Sequence, residues 1–237
     1  MSYWIKQGAV FLSFIVLLTA AMSVTKICNE NAVFAAVGMG GGRKTVIIDA
    51  GHGSPDGGAV SVTGVLEKDI NLDIALKLEQ LFRLYGYDVI MTRSADNGIH
   101  DKGVKGIGNQ KRSDIKNRMK IINDNPHAVF ISIHQNQFTS SKYRGAQVFY
   151  APSNTDSGVL ADVIQKVIAD ELQPYNERLT KKATDDLYLL YNARIPAVMV
   201  ECGFISNYED AALLTDPDYQ LKLALCIVRG YMLYENS

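Results

Sequence analysis

Thr45–Gly53 reads TVIIDAGHG, and this stretch decides the fold. Thr45, Val46, Ile47 and Ile48 are β-branched, a run too short for a helix and suited to a strand buried on both faces. It stops on Asp49, Ala50, Gly51, His52 and Gly53, a polar and glycine-bearing end that is costly at a core boundary unless it does something. Just ahead lies Met39–Arg43, MGGGR. A phosphate-binding loop needs strand, glycines and then helix; here the glycines come first, so they read as a linker that marks where the folded domain begins.

Working outward, Ile70, Ile74, Leu78, Leu81 and Leu84 recur at spacings of three and four, one stripe of an amphipathic helix over residues 67–85 that Gly86 is placed to end. Residues 87–92 (YDVIMT) read as a second strand. A polar loop follows through Gln110, then a helix on Ile115, Met119 and Ile122 opened by Ser113 or Asp114 and stopped by Asn125-Pro126. Further strands are predicted at 128–133, 146–151 and 196–200. A helix on Val159 to Leu172 and a closing helix over 219–234 complete the pattern. Strands alternating with helices define an α/β fold: a single domain, its twisted sheet mostly parallel or mixed, with helices on both faces.

Composition narrows the function. The 237-residue chain is 47% hydrophobic and 21% charged, which suits one domain with a short appendage. Lys+Arg total 24 against Asp+Glu 25, so the positive excess that draws a protein to nucleic acid is missing. At the N-terminus, Lys6 precedes an apolar run from Ala9 to Met22 with the layout of a signal peptide. The run is shorter than the roughly 20 residues of a membrane-spanning helix. A cleaved signal and a retained anchor with N-terminal membrane association both remain open, and either puts the rest outside the cytoplasm. Residues 1–43 are therefore assigned to signal or anchor plus linker, and 44–237 to the catalytic domain. Three scattered cysteines make neither a disulfide framework nor a zinc knuckle, and Cys28 lacks the context for lipidation.

Three predicted strands end in reactive residues: Asp49-Ala50-Gly51-His52, Ser132-Ile133-His134 and Val200-Glu201-Cys202. In open α/β sheets the crevice beyond the carboxyl ends of the strands is where binding and reaction occur. Glu67, opening the first helix, returns a carboxylate to that rim. Two imidazoles and a carboxylate suit a catalytic zinc ion with one position left open, and Glu201 remains free as a base. Singly, each residue has a structural explanation, a histidine in a tight glycine turn or a glutamate at a helix N-terminus; it is their joint placement that points to a site. His100 and His127 read as surface residues. A rival nucleophile, Cys202, follows Glu201 directly, and neighbours on a strand point to opposite faces.

These blocks carry a resemblance. TVIIDAGHGSPDGGAV, LEKDINLDIALKLEQLF, FISIHQN and PAVMVECGFISN resemble, in order, the conserved blocks of the zinc-dependent N-acetylmuramoyl-L-alanine amidases called the Amidase_3 family, from about Thr45 to the C-terminus. The resemblance implies one Zn²⁺ held by His52, Glu67 and His134, with Glu201 catalytic. The implied reaction is hydrolysis of the amide between the N-acetylmuramic acid lactyl group and L-alanine in peptidoglycan. Ala50 stands where the family commonly has proline. A bare domain behind an N-terminal signal is similar to the members from spore formers, which prepare the cortex for muramic lactam and work with an activating lipoprotein partner in the forespore intermembrane space. A non-catalytic wall-binding or assembly module with the same fold is the alternative. Asn136 reads as a turn cap, Arg93 and Arg118 as solvated arginines rather than groups for a peptide carboxylate, and Lys102, Lys105, Lys111 and Arg112 as a solvated face.

Overall fold

The computed structural model describes residues 44–237; the signal or anchor expected over residues 1–43 lies outside them. Six strands form one sheet: β1 (Thr45–Ala50), β2 (Asp88–Met91), β3 (Val129–Asn136), β4 (Gln147–Tyr150), β5 (Lys181–Lys182) and β6 (Ala197–Phe204). Six helices accompany them: α1 (Glu67–Leu84), α2 (Ile107–Asn123), α3 (Thr155–Glu171), α4 (Tyr188–Asn192), α5 (Tyr208–Leu214) and α6 (Pro217–Glu235). None of the described helices is long and apolar enough to cross a membrane.

The strand order is β2-β1-β3-β6-β4-β5. The first four run parallel, while β4 pairs antiparallel with β6 and carries β5 at the edge. From β1 the chain goes to β2 on one side and then to β3 on the other, so the crevice where connections diverge opens between β1 and β3. That reversal also sends successive crossover helices to opposite faces. On one face Ile47, Phe130 and Met199 pack with Met119 and Ile122 of α2 and Leu189 and Leu190 of α4. On the other, α1 and α3 pack on the strands and on α6.

Three boundaries depart from expectation. Both β3 and β6 run on past Ile133 and Val200, because His134 is the ladder partner of Glu201 and the pairing continues to Asn136 and Phe204. Asn136 is thus the last residue of a strand rather than a turn cap. Helix α2 starts at Ile107, after Gly106 at φ 83°. Ser113 and Asp114 lie inside it, where the Ser113 hydroxyl accepts from Asp101 N (3.0 Å) and the Asp114 carboxylate from Ile99 N (2.6 Å). Cap-type side chains here fasten the preceding loop to the helix flank. The short β5, α4 and α5 were not anticipated, being too brief to show periodicity.

Candidate metal centre and active site

The end of β1 is built first. Gly51 N donates to Ile133 O (3.1 Å), and His52 then adopts φ 62°, a left-handed conformation uncommon for a side-chain-bearing residue. Two arginines hold the turn. Arg93 donates to the carbonyls of Ala50 (2.9 Å) and Gly51 (2.9 Å), and Arg118 to those of Ala50 (2.9 Å) and His52 (2.6 Å). Each is only 3% exposed, which corrects the expectation of solvated arginines. Neither is free for a peptide carboxylate, because backbone carbonyls and Asp49 occupy them. Asp49 is fully buried, accepting from Arg118, Thr92 (2.8 Å) and Ser132 (2.6 Å). Burial would raise its pKa, but the Arg118 guanidinium holds it below the usual carboxylate range.

Onto this turn the candidate ligands fold. Glu67, the first residue of α1, is buried, and its carboxylate accepts from Ala59 N (2.9 Å), Gln135 N (3.1 Å) and Asn71 Nδ2 (3.3 Å). Its two oxygens face His52 Nε2 at 3.2 Å and His134 Nδ1 at 3.1 Å. Two glycines make the approach possible. A Cβ at Gly51 would stand 2.2 Å from His134 Nε2, and one at Gly58 (φ 67°) 2.6 Å from Glu67 Oε2. Ligand atoms of His52, Glu67 and His134 lie within 4.8 Å of one another, the one such cluster of three among the described residues.

The donor set fits a zinc ion: two ring nitrogens and a carboxylate converge, and a further carboxylate orients one ring. His52 Nδ1 meets Asp56 Oδ2 at 2.9 Å, which leaves Nε2 turned toward Glu67. Asp56 is itself fixed by Gly58 N (3.2 Å) and Lys111 Nζ (2.9 Å). Burial opposes ionisation of Glu67, yet hydrogen bonds to His134 and His52 hold its pKa far below normal. Burial likewise opposes a charged His52, but Glu67 and Asp56 raise its pKa.

Glu201 sits across the ladder from His134, so both side chains project from the same face. The residue is half-buried, but its Oε2 is sealed from solvent with no hydrogen-bond partner among the described residues. Burial pushes its pKa up to about 7, helped by Glu67 and opposed by the two histidines. Cys202 points the other way, buried with its thiol donating to Val200 O (3.5 Å), and burial pushes its pKa far up. It is no nucleophile for this site. Beside the cluster a cleft of about 310 Å³ opens between the β1 turn, α2 and α4, with Ile107, Leu187 and Tyr188 as apolar lining and Gln110 and Lys111 as polar lining. His100, expected at the surface, is half-buried and lines this cleft; His127 is exposed as expected. Sequence reasoning missed Asp56, Asn71 and Gln135; Lys111 is exposed, as its reading as part of a solvated face expects, and it also reaches Asp56.

An α/β domain with a metal-suited triad and an elevated carboxylate at the carboxyl ends of its strands has the equipment of an amide hydrolase. Residues 46–231 match the N-acetylmuramoyl-L-alanine amidase family Amidase_3. The chain belongs to that family and is an enzyme of its class. The germination-specific N-acetylmuramoyl-L-alanine amidase of Bacillus subtilis is 38% identical over 193 residues, 81% of this chain and 79% of the relative. Among solved structures, the CwlD amidase of Clostridioides difficile in complex with the GerS lipoprotein is 41% identical at a TM-score of 0.79, covering 82% of this chain and 99% of that one. AmiC2 of Nostoc punctiforme is 30% identical at a TM-score of 0.71, covering 84% of this chain and 100% of that one.

Proposed function

We propose that this enzyme uses one Zn²⁺, held by His52, Glu67 and His134, with Glu201 as the general base and acid, to separate the muramic acid lactyl group from L-alanine. The observation that carries the reading is the Glu201 carboxylate, its Oε2 sealed and without a partner among the described residues, standing across the ladder from a three-donor cluster. Bound zinc supplies Lewis acidity that polarises the amide carbonyl and makes water acidic enough to attack near neutral pH. Glu201 takes the proton released by the attacking water and delivers it to the alanine nitrogen, which departs as an amine rather than as an amide anion. A carboxyl with pKa about 7 can both accept and donate near neutrality. Asp56 keeps the His52 ring turned toward Glu67, and Arg93 and Arg118 keep the turn that carries it.

Residues 44–237 form the catalytic domain in this proposal, and residues 1–43 act as signal or anchor that places it outside the cytoplasm. Likeness to the germination-specific amidase and to the CwlD–GerS complex supports a role in spore cortex formation leading to muramic lactam, with a lipoprotein partner. The test is mass spectrometry of purified peptidoglycan after incubation, with and without a zinc chelator. Release of peptide beginning with L-alanine, lost on chelation and restored by zinc, is the expected result. Cleavage that resists chelation sinks the zinc mechanism.

A further inference from the structure

Four arginines are buried or half-buried among the described residues. Arg93 and Arg118 are bound to carbonyls and Asp49, and Arg144 pairs with Glu209. The fourth, Arg178, has no carboxylate within ion-pair distance among the described residues. Its Nη2 donates to Gln147 Oε1 (2.6 Å), its guanidinium lies over the Phe204 ring at 4.8 Å, and its Nε is buried without a partner. Asp210, the acid that acts on it electrostatically, takes Gly145 N (2.8 Å) and Phe204 N (2.9 Å) on its Oδ2 and makes no direct ion pair with it. A half-buried guanidinium whose sealed Nε has no acceptor and which makes no direct ion pair is costly, and such a group persists where a ligand supplies the missing partner.

Its position says which ligand. Gln147 is the cross-strand partner of Glu201, so the Gln147 side chain stands beside Glu201 on the same face of the sheet. Gln147 Nε2 also donates to Leu179 O (2.7 Å), which fixes the amide and with it the guanidinium. Arg178 therefore stands about one strand spacing, roughly 5 Å, and one hydrogen bond beyond the strand that carries Glu201. Two extended peptide residues span about 7 Å. We infer that Arg178 is a substrate-binding residue that takes a carboxylate on the second residue of the peptide stem, holding the stem across β6 and β4 while the amide before its first residue lies at Glu201. Phe204 beneath the guanidinium and Gln147 beside it fix the direction of the remaining N–H groups, as a fork for a carboxylate requires.

The inference rests on the amidase reaction and on Glu201 as its reacting carboxylate, and the test separates the two. The substrates are glycan strands with tripeptide stems, the second residue bearing either a free carboxylate or its amide, assayed with zinc-loaded wild type, Arg178→Gln and Arg178→Lys. Wild type should favour the free carboxylate by about 10-fold in kcat/KM, the effect of one charge-assisted hydrogen bond. Arg178→Gln should abolish that preference, losing about 10-fold more kcat/KM on the free carboxylate than on the amidated strands. Arg178→Lys keeps the charge without the fork and should reduce the preference to an intermediate ratio. A wild type indifferent to amidation, an unchanged ratio in both variants, or equal losses on both substrates in Arg178→Gln would each overturn the assignment. Failure of wild type to cut either substrate would instead refute the amidase chemistry, and the inference with it.

Discussion

At the end of β1, two buried arginines give four hydrogen bonds to the carbonyls of Ala50, Gly51 and His52; at the same level on β6, Glu201 Oε2 has no partner among the described residues. The first region is fixed several times over, and the second is left short. The difference follows the work each does. On the proposed assignment His52 is a metal ligand and must not move, and in its left-handed turn it would relax without Arg93 and Arg118 to define its backbone. A proton carrier must change its charge, and each hydrogen bond to its ionised form would lower the pKa that burial raises.

The largest expected effect breaks the unsupported end. Glu201→Gln should lower kcat about 10²- to 10⁴-fold, the range of a general acid–base, while zinc content by elemental analysis stays at the wild-type level. Lost zinc would make Glu201 part of the metal cluster instead. Breaking the supported end should show as stability. Arg118→Met leaves Asp49 buried and uncompensated, with an expected cost of about 3–5 kcal/mol in urea unfolding. A cost under about 1 kcal/mol would mean the turn does not depend on that arginine.

A third comparison uses pH on metal-free protein. Folded Glu201 holds its proton up to about pH 7, whereas its ordinary pKa is 4.5. Between these values the unfolded chain binds fewer protons, so the Glu201 contribution makes stability fall as pH rises. Below pH 4.5 both states hold the proton, the pH dependence vanishes and no stability is lost. Glu201→Gln should therefore gain on wild type from pH 4.5 to 8, on the order of 2 kcal/mol once partial solvent screening is allowed for. Parallel stability profiles for the two proteins would contradict the elevated carboxyl.

Two smaller effects sharpen the contrast. Asp56→Asn should weaken zinc binding about 10-fold in chelator competition, with the unfolding midpoint of the metal-free protein little changed. Unaltered affinity would deprive Asp56 of its orienting role. Cys202→Ala, on the opposite face, should keep activity and cost about 1 kcal/mol of stability; inactivity in a folded variant would revive a thiol mechanism.

Much of this arrangement was legible before any coordinates. Alternating strands and helices gave the α/β class, and the rule that reactive residues gather beyond strand ends brought residues 52, 67, 134 and 201 to one rim. What local patterns missed depends on distant partners. Arg118 reads as a surface residue because arginine usually is one; its burial rests on Asp49 and on carbonyls 66 and 68 residues away. Asp56 lies four residues from His52, but in a loop that spacing has no fixed geometry. Ser113 and Asp114 mimic a helix start because their side chains suit a cap, yet they were used to tie down residues 99 and 101. Strand β3 seemed to stop at Ile133 because polar residues mimic a loop, whereas pairing with β6 carries it on.

The ladder that joins His134 to Glu201 also sets an order of events. On this assignment the three metal donors come from residues 52, 67 and 134, whereas the carboxylate that moves the proton waits for β6, late in a chain of 237 residues. An enzyme whose substrate is the wall has reason to stay harmless in fragments. A chain interrupted before β6 would lack the one group that moves the proton, so on this assignment the three donors alone would not cut.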